Sequence, residues 1–553
     1  MWTLLLTALA QGAPTADALS APFSELGERA LGGFTVTSGA PEKDWILEVN
    51  GGGLLLEDLD GDGLLDLVVV DGSTAALARA GEPGRPPRVF LGRGDGTFAP
   101  AGEAWTLAAS PWGTGGAVGD LDGDGDPDLV LTAWGPDRVV RNTGAGLEEV
   151  AESGLVGERW GTSAALFDAD LDGVLDLAVV NYLDFAFDAV DPRLAGGCVW
   201  KGLAVNCGPE GLAPQHDQLY LGRGDGTFAP APEPAGFAPR RAAFGLGVVA
   251  GDFDLDGDAD LYVTNDSTPN HLWESRPADG AARLVETGMR KGVALAPDGR
   301  EQAGMGVSVG DLDGDERADF VVTNFSGEHH NLYLSGDRRS YRDRSHQAGV
   351  GGPSTALLGW GAGFGDLDHD GDLDLFAVHG HVYPQADAAG TDTTYAQDDL
   401  CFRNTGTPEA PRFAAEPLSD ATPGVSRAAT LGDLDRDGDL DLVVLALDGP
   451  VRVLLGRADE LHPDAGWLGV RPVDPEGPEQ GTRVELLLGE RRWSREVRTT
   501  AGYQAARPAE VHFGLGPVPA DARPRLRLTW PDGAVQELEP AGLDRWLTVE
   551  RVR

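Results

Sequence analysis

The sequence predicts an all-β protein, a seven-bladed β-propeller with calcium-binding Asp loops plus a small C-terminal β-sandwich-like domain. Three observations predict it. One Asp-rich motif recurs seven times, each copy lies between a Gly-containing strand and an apolar strand, and the excess of acid ends where the copies end.

The motif is Asp-x-Asp-x-Asp-Gly-x-x-Asp followed by a short apolar run. Copies begin at Asp58, Asp120, Asp168, Asp252, Asp311, Asp366 and Asp433, at intervals of 62, 48, 84, 59, 55 and 67 residues. A recurring unit of this length marks an array or propeller rather than a single-core domain. Gly-containing strands such as GGAVGD and GMGVSVGD precede the loops, and turns such as LGRGDGTF follow the apolar strand. Four strands in about 50 to 60 residues make a propeller blade, and a closed ring of blades leaves no long sheet edge open. Seven positions before each loop stands Gly51, Gly113, Gly161, Gly245, Gly304, Gly359 or Ser426. Small residues at that point suit inner strands that crowd a central axis.

Carboxylates at alternate positions, a Gly at the sixth for a sharp turn and a carbonyl at the seventh are what a hard cation takes from a loop. The expected ligand sets are Asp58, Asp60, Asp62 and Asp66 with Leu64; Asp120, Asp122, Asp124 and Asp128 with Asp126; and Asp168, Asp170, Asp172 and Asp176 with Val174. They continue with Asp252, Asp254, Asp256 and Asp260 with Asp258, and with Asp311, Asp313, Asp315 and Asp319 with Arg317. The last two are Asp366, Asp368, Asp370 and Asp374 with Asp372, and Asp433, Asp435, Asp437 and Asp441 with Asp439. These are not EF-hands, because the twelfth position is apolar (Val69 in the first copy) and no helical pattern flanks the loops. Packed so closely, the carboxylates repel one another unless a cation joins them, so up to seven Ca²⁺ are expected. The fifth loop carries Glu316 where the others carry Gly, which strains a left-handed turn and makes this the weakest expected site.

The net charge of −46 excludes nucleic acid and anionic membrane as partners. From Leu461 onward 13 Arg and no Lys stand against 14 Asp and Glu, so the acid lies before that point and a boundary is expected there. The expected organisation is a signal peptide at 1–18, a propeller at 19–460 with an insertion at about 183–215, and a β-domain at 461–553. The leader reading rests on an apolar run after Met1 followed by small residues, and places the protein outside the cytoplasm, secreted or extracytoplasmic. No later run approaches the roughly 20 apolar residues of a membrane helix. Cys198 and Cys207 flank a short loop and are expected to pair in an oxidising compartment, whereas Cys401 reads as a small buried hydrophobe.

The Asp loops with their Gly-rich strands resemble the FG-GAP or VCBS repeats of integrin α-chain propellers. Gly481-Thr482-Arg483-Val484, Gly502-Tyr503-Gln504, Val511-His512-Phe513-Gly514-Leu515-Gly516 and Trp530-Pro531-Asp532-Gly533 resemble the ASPIC/UnbV domain. Residues 207–228 also look like the propeller of that cartilage acidic protein-like family. The resemblance implies an extracellular, calcium-binding, adhesion-like role and implies no reaction.

Five residues beyond the closing Asp, at the far end of the second strand, consecutive copies place Asn181, Asn265, Asn324 and His379, with His381 close by. Such a ring could hold a polar ligand, and Trp160 and Trp360, which begin inner strands, could stack on it. The competing reading is that these Asn and His residues satisfy turn backbone groups and that the Trp residues pack between blades. His379 and His381 also support an alternative of another class, a carbohydrate-active or transition-metal-dependent enzyme using the propeller funnel. No Gly-x-Ser-x-Gly elbow is read, since the one match, GVSVG at 306–310, falls inside a Gly-rich strand that runs into an Asp loop. His-Glu-x-x-His does not occur, so no catalytic residue is assigned. The expected partner is an extracellular protein or glycan, and the expected state a monomer.

Overall fold

The computed structural model describes residues 21–188, 198–209, 211–232, 237, 242–278, 281–336, 340–408, 410–519 and 522–552. The expected leader, 1–18, lies outside the described residues, as does part of the insertion.

The fold is all-β, and no helix among the described residues is long and apolar enough to cross a membrane. Before the tail, seven antiparallel units of four strands follow one another among the described residues. Sheet 1 runs Gly53–Glu57, Asp66–Val70, Arg88–Gly92 and Phe98–Pro100, each strand hydrogen-bonded to the next. The first strands of sheets 2 to 6 are Gly113–Gly119, Arg159–Phe167, Gly245–Gly251, Gly304–Gly310 and Gly359–Gly365. Sheet 7 starts at Ser426–Gly432, and its outer strand comes from the other end of the chain, with Phe23 paired to Gly456. Sheets 2 and 3 are also joined directly, Trp160 pairing with Trp134.

Every Asp loop is the connection between a first and a second strand, and the closing Asp is the first residue of the second strand. The second strands read as near-continuous Val, Leu and Phe because both faces are covered by neighbouring sheets. Leu55, Val68 and Val70 of sheet 1 pack with Val118, Leu129 and Leu131 of sheet 2. The series returns on itself, since Leu54, Leu56, Leu67 and Val69 of sheet 1 pack with Ala428, Val443, Leu445 and Val453 of sheet 7. First strands approach one another closely: a Cβ on Gly53 would lie 2.6 Å from Gly115 Cα, and one on Gly306 would lie 2.0 Å from the Trp360 carbonyl.

The tail is two sheets on one core. Val511–Pro517, Ala465–Val473 and Trp546–Glu550 form one, and Arg491–Glu496, Arg483–Leu488, Arg525–Thr529 and Val535–Leu538 form the other. Leu468, Val484, Leu486, Phe513, Leu526, Leu528 and Trp530 are buried between them. The tail thus has a core of its own, but one stretch of it is built into the other body. Ala505–Ala506 pairs in parallel with Gly53–Glu57, the Val248 amide donates to the Gly502 carbonyl at 2.9 Å, and the Gln504 amide donates to Ser163 Oγ at 2.9 Å. Tyr503 between them is wholly buried, donates to the Asn50 carbonyl at 2.8 Å and lies 5.0 Å from Trp360, ring to ring. The tail fills the space where the first strands converge.

Candidate metal loops and the cavity on the opposite face

The loops share one hydrogen-bonded frame. In all seven, the first Asp accepts the amide of the sixth residue through Oδ2 at 2.8–3.2 Å. The fifth Asp accepts the amide of the seventh through Oδ1 at 2.9–3.3 Å. The ninth Asp accepts two amides at 2.7–3.2 Å, one from the second loop residue and one from the end of the third strand. This last carboxylate therefore staples the loop to the sheet, whatever else it binds. The sixth residue is left-handed throughout, φ 67–107°, and so is the fourth, φ 58–76°, including Leu171, Leu255, His369 and Arg436. The left-handed fourth position was not foreseen, because in these four loops it is not marked by Gly.

The frame leaves acceptors without donors. Oδ1 of Asp58, Asp122, Asp170, Asp366 and Asp433 is buried and unpartnered. Three carboxylates converge with ligand atoms within 4.8 Å of one another in Asp58, Asp60 and Asp62, in Asp120, Asp122 and Asp128, in Asp168, Asp170 and Asp176, in Asp252, Asp254 and Asp260, and in Asp311, Asp313 and Asp315. Burial pushes the carboxyls of Asp66, Asp128 and Asp176 up to about 7, against the pull of the two amides each accepts, and neighbouring loop carboxylates add to the rise. Desolvated carboxylates near like charges are costly unless a cation compensates them, and oxygen ligands in this number fit a hard cation such as Ca²⁺.

Loop five is different in two ways. Glu316 adopts the left-handed conformation at φ 67°, as the sequence requires, and pairs with Arg492 of the tail at 2.6 Å. Arg317 also turns back onto its own loop and places Nη2 2.6 Å from Asp315 Oδ2. A guanidinium thus competes there for an expected ligand.

The tail covers part of this face. Arg471 lies 3.3 Å from Asp58 Oδ2, the Trp546 indole donates to Asp433 Oδ2 at 2.7 Å, and the Trp493 indole donates to the Gly371 carbonyl at 2.8 Å. These contacts take Oδ2 of Asp58 and Asp433, while Oδ1 of each stays buried and without a partner.

On the opposite face the expected polar ring is a set of turn braces. Asn181, Asn265, Asn324, His379 and His381 are all buried. The amide groups of Asn181, Asn265 and Asn324 donate to the carbonyls of His216, Pro269 and His329 in the turns that lead to the third strands, at 3.0, 2.8 and 2.7 Å. The backbone amides of Asn181, Asn265, Asn324 and His379 are capped in turn by Asp217, Asn270, His330 and Asp399. Because His330 Nδ1 accepts an amide, its proton sits on Nε2, which donates to His379 Nε2 at 3.0 Å. His381 Nδ1 accepts the Tyr383 amide, so Nε2 carries the proton and donates to Ser326 at 3.0 Å. Burial takes both His379 and His381 down to about 3, so both are neutral. Trp160 packs edge-on against Tyr182 in the core. Of the candidate ligand residues, Trp360 alone lines the cavity of about 1010 Å³ that opens on this face.

The disulfide-linked pair Cys198 and Cys207 frames the hairpin of Cys198–Trp200 and Leu203–Val205. That hairpin forms one wall of the cavity, and Trp200 packs on Tyr383 and His381 with ring centres 5.6 and 4.7 Å apart. Cys401 is buried and free.

Residues 58–131, 120–179 and 211–263 match the FG-GAP-like repeat, and residues 475–552 match the ASPIC and UnbV domain. The chain therefore carries FG-GAP-like repeats and a C-terminal ASPIC and UnbV domain. Its curated relatives include cartilage acidic protein 1 of Mus musculus, 27% identical over 300 residues that make up 52% of this chain and 42% of the relative. The protein of that name from Xenopus tropicalis is 26% identical over 301 residues, 53% of this chain and 42% of the relative. The match thus spans about two fifths of the relatives' length. Among solved structures, an Agrocybe aegerita lectin described as recognising non-reducing terminal N-acetylglucosamine is 16% identical, with a TM-score of 0.40 over 67% of this chain and 81% of that one. Loops five to seven lie beyond the matched repeats and have the same hydrogen-bonded frame as loops one to four.

Proposed function

We propose that the seven units are the blades of a closed β-propeller, that each Asp loop holds one Ca²⁺, and that the protein is an extracellular binding or adhesion protein. The observation that carries this is the sevenfold frame: the same three carboxylates make the same hydrogen bonds in every loop, and in five loops a buried carboxylate oxygen stays unpartnered. Calcium is the scaffold's requirement and the opposite face is the binding surface, open where the loop face is covered by the tail. The kinship to cartilage acidic protein 1 supports the extracellular setting, as does the Cys198–Cys207 pair. An extracellular protein or glycan is the partner class.

Elemental analysis of purified protein, with melting curves before and after chelation, tests the calcium reading. Close to seven equivalents of calcium, and a melting temperature that falls on chelation and returns with Ca²⁺, are expected. A melting curve indifferent to verified metal removal would overturn it.

A further inference from the structure

The cavity opposite the loops has aromatic walls and an acidic charge. Tyr182, Phe244, Phe325 and Tyr383 contribute rings to it, Asp266, Glu301 and Glu328 contribute carboxylates, and its described lining residues include no Lys, Arg or His. Asp266 is held in one orientation, accepting from Tyr182 Oη at 2.5 Å and from Ser267 Oγ at 2.8 Å. Glu328 is fixed through Oε2, which accepts the Ala303 amide at 3.0 Å. Burial pushes the Glu328 carboxyl up and the Asp266 charge adds to the rise, opposed by Arg300 and His329. A third feature is Asn50, which also lines the cavity: it is 3% exposed, and its Nδ2 has no acceptor.

We propose that this cavity binds an organic cation, an ammonium or guanidinium group on a ligand that also carries a neutral hydrogen-bond acceptor. Positive charge is stabilised both by carboxylates in a desolvated site and by the faces of aromatic rings, and the cavity offers both within one wall. A bare metal ion would use the carboxylates and leave the rings without a role. An anion would meet three like charges. The acceptor on the ligand answers the unsatisfied donor of Asn50, since a buried donor left unpaired is costly. This inference rests on the reading of this face as the binding surface and not on the calcium content of the loops.

The test uses the full calcium-loaded chain, titrated calorimetrically with N-acetyl-arginine amide, spermidine and tetramethylammonium. Saturable binding of at least one probe is expected, weakened about tenfold in Asp266→Asn and again in Glu328→Gln. Both variants should keep calcium content and melting temperature. A preference for N-acetyl-arginine amide identifies a peptide side chain as the source, and a preference for spermidine identifies a free polyamine; either supports the class. Phe325→Leu removes a ring without touching a carboxylate and must weaken binding too, which keeps the test decisive if a carboxylate variant fails to fold. Absence of saturable binding by all three probes, undiminished affinity in every folded variant, or displacement of the probe by Mn²⁺ at equal concentration overturns the inference. Loss of probe binding with chelator-sensitive melting intact overturns this inference alone, whereas chelator-insensitive melting overturns the loop reading.

Discussion

The two mouths of the molecule's axis are built on opposite principles. On the loop face the same nine-residue turn recurs with the same hydrogen bonds, and the tail lies over it with Tyr503 driven into the axis. On the other face the turns vary: Asp137 and Asp217 brace the strand ends of sheets 2 and 3, and Asn270, His330 and Asp399 brace those of sheets 4 to 6. Three chemistries thus serve five equivalent positions, and a disulfide-framed hairpin walls one side of a cavity. Repetition serves what every unit must do for itself, which is to hold its own loop. Variation gathers where the units jointly face something else.

The largest effect expected of that contrast is on chelation. A ligand that binds the folded state alone stabilises it by about 3 to 4 kcal/mol per site at 100 to 1,000 times its dissociation constant, so several sites emptied together should lower the melting temperature by tens of degrees. Differential scanning calorimetry with and without chelator measures it, and a shift of only a few degrees would place the loops outside the folding energetics. Next comes Tyr503→Ala, which empties a fully buried aromatic site at the axis and should cost about 3 to 5 kcal/mol, read by denaturant melts at unchanged calcium content. A loss below about 1 kcal/mol would mean the tail merely rests on the sheets.

Within the loop face, Glu316→Gly should relieve a left-handed side chain worth about 1 to 2 kcal/mol, and Arg317→Ala should free Asp315, so that the double variant gains more than either alone in calcium titrations. Equal occupancy of all seven loops at limiting calcium in the unaltered protein would break the distinction drawn for loop five. The smallest effect belongs to the braces of the other face. Burial pushes Asp137 and Asp217 up to about 7, and each accepts a strand-end amide, from Ala133 and Asn181 respectively. Such groups hold protons more tightly folded than unfolded, so their contribution is complete below about pH 4 and is lost as pH rises through about 7. Replacing both by Asn keeps the acceptor oxygen and removes the titration. The difference in melting temperature between variant and parent should therefore grow from about pH 5 to about pH 8, and a constant difference would contradict it.

What could be read from the sequence follows the same division. Alternating Asp and the Gly at the sixth position announce the loops because their geometry is local, and Glu316 marked its own strain. The stapling role of the ninth Asp was hidden because its second donor is Gly92 for Asp66 but Gly222 for Asp176, set by the length of whatever lies between the strands. Asn181, Asn265 and Asn324 carried a real pattern whose meaning depends on their surroundings: all three are buried, and each donates through Nδ2 to a turn carbonyl. Tyr503 stood in a recognisable motif, yet nothing local says that it enters the axis beside Trp360, because that depends on how the tail docks. Asp266 stands next to a ring position in the sequence, but that Glu328 lines the same cavity could not be read, since the two belong to different units and no local spacing relates them.

The pairing of Phe23 with Gly456 fixes the order in which the molecule can be finished. A ribosome delivers the first of these residues long before the second, so the opening strand waits without its partner while six units are made behind it. Closure is then an encounter between the oldest and nearly the newest part of the nascent chain, and Tyr503 follows it out later still. Contacts so distant along a chain are slow to form and leave strand edges exposed meanwhile. The aromatic at the axis is thus the last piece to be seated, a keystone that arrives only when the arch already stands.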